Sequence, residues 1–118
     1  MNAPDNMVSA PTGGLRDNKG KIRLSLTPYE LVLGVAEVFW KSSKPGGGKY
    51  PMYNWQKGLP MTEVCDSALR HIYKFLAGED IDPETGLHHL KHAACNLAIL
   101  LWYLVHRPEM DDRSKGDK

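Results

Sequence analysis

The stretch Leu87-His88-His89-Leu90-Lys91-His92-Ala93-Ala94-Cys95-Asn96-Leu97-Ala98-Ile99-Leu100-Leu101-Trp102-Tyr103-Leu104-Val105-His106 decides the fold. Leu87, Leu90, Ala94, Leu97, Leu101 and Leu104 recur at the spacing of one helical stripe. Beyond Ala93 almost every side is apolar, which predicts a central helix over 87–106. His89, His92 and Asn96 share another face of it. A buried amide without partners costs on the order of 1–3 kcal/mol, so Asn96 must hydrogen-bond. Either it closes a bond to a neighbouring helix, or it faces a polar pocket with His92 one turn earlier. The polar pocket is the expectation.

Upstream, Met61, Val64, Cys65, Ala68, Leu69, Ile72, Phe75 and Leu76 form the stripe of a second helix over 61–76. Glu63, Asp66, Ser67, Arg70 and Lys74 lie opposite, and His71 sits at the stripe edge, the usual place of a satisfied interfacial histidine. Gly78 ends this helix. Glu79, Asp80, Asp82 and Glu84 then bring four carboxylates together, and Asp82-Pro83-Glu84 reads as a helix start. Water and salt can screen such a cluster. A divalent cation is the functional alternative, since hard ions favour carboxylate oxygens. His88 and His92 have the i,i+4 spacing of a zinc hydrolase, but His89 stands where HExxH needs glutamate. No Cys or His cluster completes a tetrahedral set. The histidines are therefore expected to bind phosphate or orient carboxylates beside the ion.

Thr27, Pro28 and Glu30 predict a capping box at the start of a first helix near 28–40, with Leu26 and Leu31 as its hydrophobic staple. Leu31, Val32, Val35, Ala36 and Phe39 would face the core, with Glu37 either a solvated acid or a site residue. Residues 41–60 read as a loop. The glycine run between Lys44 and Lys49 can wrap a phosphate, since Gly lets backbone amides converge, although no Walker A pattern is present. Tyr50, Tyr53, Asn54 and Trp55 either stack on a base or cover the core. Arg16, Lys19, Lys21 and Arg23 form a solvated arm or one that closes over a phosphate-bearing ligand.

The 118 residues argue for one all-α domain over 15–106, between a flexible arm at 1–14 and a flexible charged tail at 107–118. A formal net charge of +1 gives no footprint for nucleic acid. The apolar run Ala93 to Val105 is short of the roughly 20 residues that span a membrane, and Met1 to Asn18 has no signal-peptide core. A cytoplasmic location follows as the expectation, the host's if the chain is phage-encoded. Cys65 and Cys95 read as buried reduced thiols. So small a helical core predicts a homo-oligomer, a dimer or tetramer.

The chain resembles the dATP/dGTP diphosphohydrolase-like proteins of phages and bacteria, which are similar to the MazG-type all-alpha nucleoside triphosphate pyrophosphohydrolases. The resemblance is carried by Gly20-Lys21-Ile22-Arg23-Leu24, Lys49-Tyr50, Asn54-Trp55, Ala68-Leu69-Arg70-His71 and, longest, the segment from Gly78 to Asn96. It implies a small helical bundle completed by oligomerisation. It also implies metal-dependent hydrolysis of dGTP and dATP to the monophosphate and pyrophosphate, with Mg²⁺ or Mn²⁺ as cofactor and water attacking the α phosphorus. Two departures stand out. MazG-type proteins carry ExxE on one helix and ExxD on a later one; here Glu63 and Asp66 stand near the first pair, and the later helix offers His92 and Asn96. The loop before Lys49-Tyr50 carries an unusual Pro-Gly-Gly-Gly.

On that basis Glu63, Asp66, Glu79 and Asp82 are the expected metal ligands, and Glu79, Asp82, Arg70, His92 and Asn96 the catalytic set. Lys21, Lys49, Tyr50, Asn54, Trp55, His71 and His89 are the expected substrate contacts. A nucleotide-binding regulator without turnover, or a purely structural helical module, are the alternatives.

Overall fold

The computed structural model describes residues 8–17 and 19–114. Three helices carry the fold: α1 Tyr29–Ser42, α2 Met61–Leu76 and α3 His89–His106. α3 packs against both of the others, so it is the central helix. Met61, Val64, Cys95, Ile99 and Tyr103 form the buried core, with Val35, Val38, Phe39, Trp55, Leu100, Trp102 and Met110 around it. The Tyr103 hydroxyl donates to the Trp55 carbonyl at 2.5 Å, tying α3 to the 41–60 connection. Phe39 stacks on the Trp55 ring and Trp102 meets it edge-on, at centroid distances of 4.8 and 5.0 Å.

The α2 bounds agree with the predicted ones, because its stripe has strong contrast between faces. α3 differs in which face is buried. His89, His92, Ala93, Cys95, Ile99 and Tyr103 point inward. Leu90, Leu97, Leu101 and Leu104 are 45–66% exposed. Around an almost wholly apolar helix the leucine stripe does not select the buried side. The neighbours do, and α1 and α2 sit on the histidine face. α1 likewise buries little besides Gly34, which lies under the Lys91 stem.

The expected capping box is absent. Pro28, extended at φ −68° and ψ 142°, is itself the cap and has no side-chain acceptor, while Thr27 closes a preceding 3₁₀ turn at Leu24–Leu26. The Leu26–Leu31 staple is not buried either. At the N-terminus, Val8–Ser9 and Leu15–Arg16 pair as an antiparallel ribbon, β1 and β2, so the part of the expected arm from residue 8 on is paired. Residues 1–7 and 115–118 lie outside the described residues. The described part of the expected C-terminal tail is docked. Arg107 Nε donates to the Gln56 carbonyl, and the Asp112 carboxylate accepts from both the backbone N–H and the hydroxyl of Thr62. It thereby satisfies a free N–H in the first turn of α2, which Pro60 cannot cap. No helix among the described residues is long and apolar enough to cross a membrane.

Candidate functional site

The α2–α3 connection is an ordered hairpin of chain. Gly78 turns it at φ +100°, a left-handed conformation that suits glycine. Ile81 then bridges His88 antiparallel, Asp82 N donates to Leu87 O at 2.9 Å, and His89 N donates to Asp80 O at 2.8 Å. Asp82-Pro83-Glu84 does not start a helix. The Asp82 carboxylate accepts from Glu84 N at 3.0 Å, its carbonyl accepts from Gly86 N, and Gly86 at φ +75° turns the chain out of any helical path.

This hairpin lays the acidic run against the histidine run. Glu79 Oε1 lies 2.7 Å from His89 Nε2, Asp80 Oδ1 3.8 Å from His88 Nε2, and Asp82 Oδ2 3.5 Å from His92 Nε2. Three of the four acids, Glu79, Asp80 and Asp82, thus each face an imidazole. α2 adds His71, whose Nδ1 lies 2.8 Å from His89 Nδ1 and whose ring stacks on His92 at 4.4 Å and 10°. Thr85 Oγ1 lies 2.7 Å from His92 Nε2 and accepts from Leu87 N. Asp82, His89 and His92 are buried. Among the described residues, no buried side-chain polar atom lacks a partner.

Burial first, then the neighbouring His92 and His89, pushes the His71 imidazole down to about 4. Burial also lowers His92 and prevails over the attraction of Asp82. Burial opposes the Asp82 carboxylate, but the Glu84 N–H and the nearby imidazoles hold its pKa below the ordinary value. At neutral pH His71 and His92 are therefore neutral rings beside the Asp82 carboxylate.

The expected metal set is not brought together. Glu63 and Asp66 lie on the exposed side of α2, and Glu79 is engaged with His89. Among the described residues, the group able to converge on one ion is His71, Asp82 and His92. Spacing within one helix could not reveal it, because the three come from α2, the connection and α3. The expected pocket role of Asn96 also differs. Its Nδ2 donates to Ser67 Oγ and to the His92 carbonyl, both at 3.1 Å, which is the helix-to-helix alternative. Arg70, Lys21 and Lys49 are exposed.

Tyr50, Asn54 and Trp55 line a cavity of about 530 Å³ with Phe39, Trp40 and Tyr53. Trp55 already stacks on Phe39, so Tyr50 is the freer ring. The glycine loop does not offer its amides to a phosphate. Gly46 and Gly48 N donate to the Ser43 carbonyl and Gly47 N to the Lys44 carbonyl. A Cβ on Gly46 or Gly48 would collide with the backbone of Trp40 or Ser42. Close packing explains these glycines.

Sequence reasoning missed Lys41 and Thr85. Lys41 lies between the cavity-lining Trp40 and Ser42, and its Nζ donates to the Thr85 carbonyl, beside His92. Lys91 pairs with Glu37 at 3.0 Å, so Glu37 is not a merely solvated acid.

Fold and site define a small helical protein that carries a buried His/Asp cluster and an aromatic cavity. The chain belongs to the dATP/dGTP diphosphohydrolase N-terminal family, whose profile matches residues 11–113. It is 39% identical over 100 residues to a dATP/dGTP diphosphohydrolase of Salmonella phage PMBT28, a match covering 85% of this chain and 33% of the relative. The chain thus spans about a third of the length of that curated relative. No solved structure matches it.

Proposed function

We propose that this chain takes part in divalent-metal-dependent hydrolysis of purine deoxynucleoside triphosphates, dGTP and dATP, to the monophosphate and pyrophosphate. The observation that carries the reading is the His71–Asp82–His92 cluster, in a chain of this family that also holds an aromatic cavity. A cavity of about 530 Å³ has the size of small-ligand sites. Tyr50 offers a face for a purine, and the Asn54 amide offers a donor and an acceptor for its edge. Lys41, Lys49 and Arg70 are the cations available for the phosphates. A bound divalent ion supplies charge against the phosphate oxygens and acidifies water. Mg²⁺ prefers an all-oxygen octahedron, and the donor set assembled here, two imidazoles and one carboxylate, does not fit it.

We also propose that the working form is a homo-oligomer, because the apolar stripe of α3 and Ile22, Leu24 and Leu26 are exposed among the described residues. The test of function is incubation with each canonical nucleoside and deoxynucleoside triphosphate plus Mg²⁺ or Mn²⁺, with separation of products. Release of dGMP or dAMP with pyrophosphate is the expected result. Tight nucleotide binding without turnover would instead support a regulator, and absence of both would sink the reading.

A further inference from the structure

The cluster has the composition and the surroundings of a transition-metal site. The ligand atoms of His71, Asp82 and His92 all lie within 4.8 Å of one another. An ion with bonds of about 2.0–2.2 Å needs ligands no more than about 4.4 Å apart, so the three must close by a few tenths of an ångström. The His71 and His92 rings, stacked 4.4 Å apart and 10° from parallel, must also turn from one another for both lone pairs to meet one ion, whereas Asp82 is already set. The Asp82 carboxylate is anchored by the Glu84 N–H on Oδ1, which leaves Oδ2 toward His92 Nε2. Their separation, 3.5 Å, is long for a hydrogen bond.

The free nitrogen of His71 follows from its partners. The Glu79 carboxylate only accepts, so His89 Nε2 carries the proton between them. His89 Nδ1 then accepts from the Nδ1–H of His71, and the lone pair of His71 stays on Nε2. A carboxylate behind a histidine that fixes a ligand's tautomer is the usual outer shell of imidazole-bound metals; here a second imidazole lies between them. Thr85, held by the Leu87 N–H, gives up its contact with His92 Nε2 when an ion takes that nitrogen.

We propose that His71, Asp82 and His92 bind one first-row transition dication of the zinc and cobalt kind, with its remaining positions open to water or a phosphate oxygen. Two neutral imidazoles and one carboxylate favour such ions over Mg²⁺, which wants oxygen ligands. The site stands on this geometry and does not require the hydrolysis proposed above, so binding is read by itself.

The test uses the full, untagged chain stripped with chelator and titrated with Co²⁺, followed by its visible d–d absorption. One Co²⁺ per chain is expected, displaced by Zn²⁺ and not by millimolar Mg²⁺. Asp82→Asn keeps an acceptor for Glu84 N, and it should weaken Co²⁺ by about 100-fold or more while circular dichroism is unchanged. His71→Gln should do the same, and His106→Gln, on the far end of α3, should leave binding intact. No stoichiometric Co²⁺ on the parent chain, ready displacement by Mg²⁺, or unaltered affinity in folded Asp82→Asn would overturn the site. The two results on the parent chain need no variant to fold. Loss of nucleotide turnover with Co²⁺ binding intact would count against the hydrolase reading alone.

Discussion

The ring of His89, wholly buried, holds its Nε2 2.7 Å from Glu79 Oε1. Glu79 is about half exposed, so the pair leads from the surface into the buried cluster. Glu79→Gln replaces an obligate acceptor by an amide that both accepts and donates, and removes the bias on the His89 and His71 tautomers. Co²⁺ affinity is expected to fall by about 10- to 100-fold without loss of helicity. The same titration reads it. Parent-like affinity would detach His89 from the ion.

Asp112 caps α2 from outside the helix, and its hydrogen bonds to Thr62 hold its pKa below the ordinary 3.8. A depressed carboxylate pKa contributes stability that is present above the unfolded value and is lost as pH falls through the folded one. Asp112→Ala should therefore lower the thermal midpoint at neutral pH. The difference from the parent should vanish well below pH 3.8. A gap that persisted in acid would mean that the side chain acts by packing.

The Asn96–Ser67 bond crosses from α3 to α2 at 3.1 Å. Asn96→Ala leaves Ser67 without this partner. A double-mutant cycle with Ser67→Ala should give a coupling of about 0.5–1.5 kcal/mol in denaturant melts. Additive effects would show that the two side chains do not cooperate.

Gly48 packs against the carbonyls of Lys41 and Ser42 at the end of α1. The atoms in the way are backbone, so they cannot rotate aside. Gly48→Ala is expected to lower the thermal midpoint and to shift the emission of Trp40, which lines the adjoining cavity. Gly47, at φ +98° with open space around it, should also resist alanine, through backbone strain alone. A parent-like Gly48→Ala would restore the loop as a flexible element.

These results mark where sequence patterns have force. Met61, Val64 and Ala68 alternate with Glu63, Asp66 and Arg70, and that contrast located α2 and its buried face. α3 has no such contrast. Its leucine stripe was legible as a helix, but the buried side was decided by α1 and α2, and the histidines went inward because acids and hydroxyls met them there. Asp82 was legible as a candidate ligand by its charge. His71 was not, since only the folded α2–α3 pair brings it to His92. The readable signal was the presence of acids at 79, 80 and 82 and of histidines at 88, 89 and 92 on either side of a glycine turn.

The outward stripe of α3 carries the last expectation. Leu90, Ala94, Leu97, Leu101 and Leu104 follow one another at alternating steps of four and three, the spacing of a helix-to-helix seam. Leu101 is 66% exposed and Leu104 56%, so the chain leaves this row largely in water. Burying a leucine fully is worth about 1.5–3 kcal/mol, and a second copy offers the same row by symmetry. The chain is therefore expected to sediment as a dimer or larger species at micromolar concentration. Leu101→Glu places a charge in the seam without touching the core formed by Met61, Val64, Cys95, Ile99 and Tyr103. It should give a monomer with unchanged helicity, still able to bind Co²⁺, because the three ligands lie within one chain. A parent chain that sediments as a monomer, or a Leu101→Glu chain that still associates, would remove the stripe as the interface.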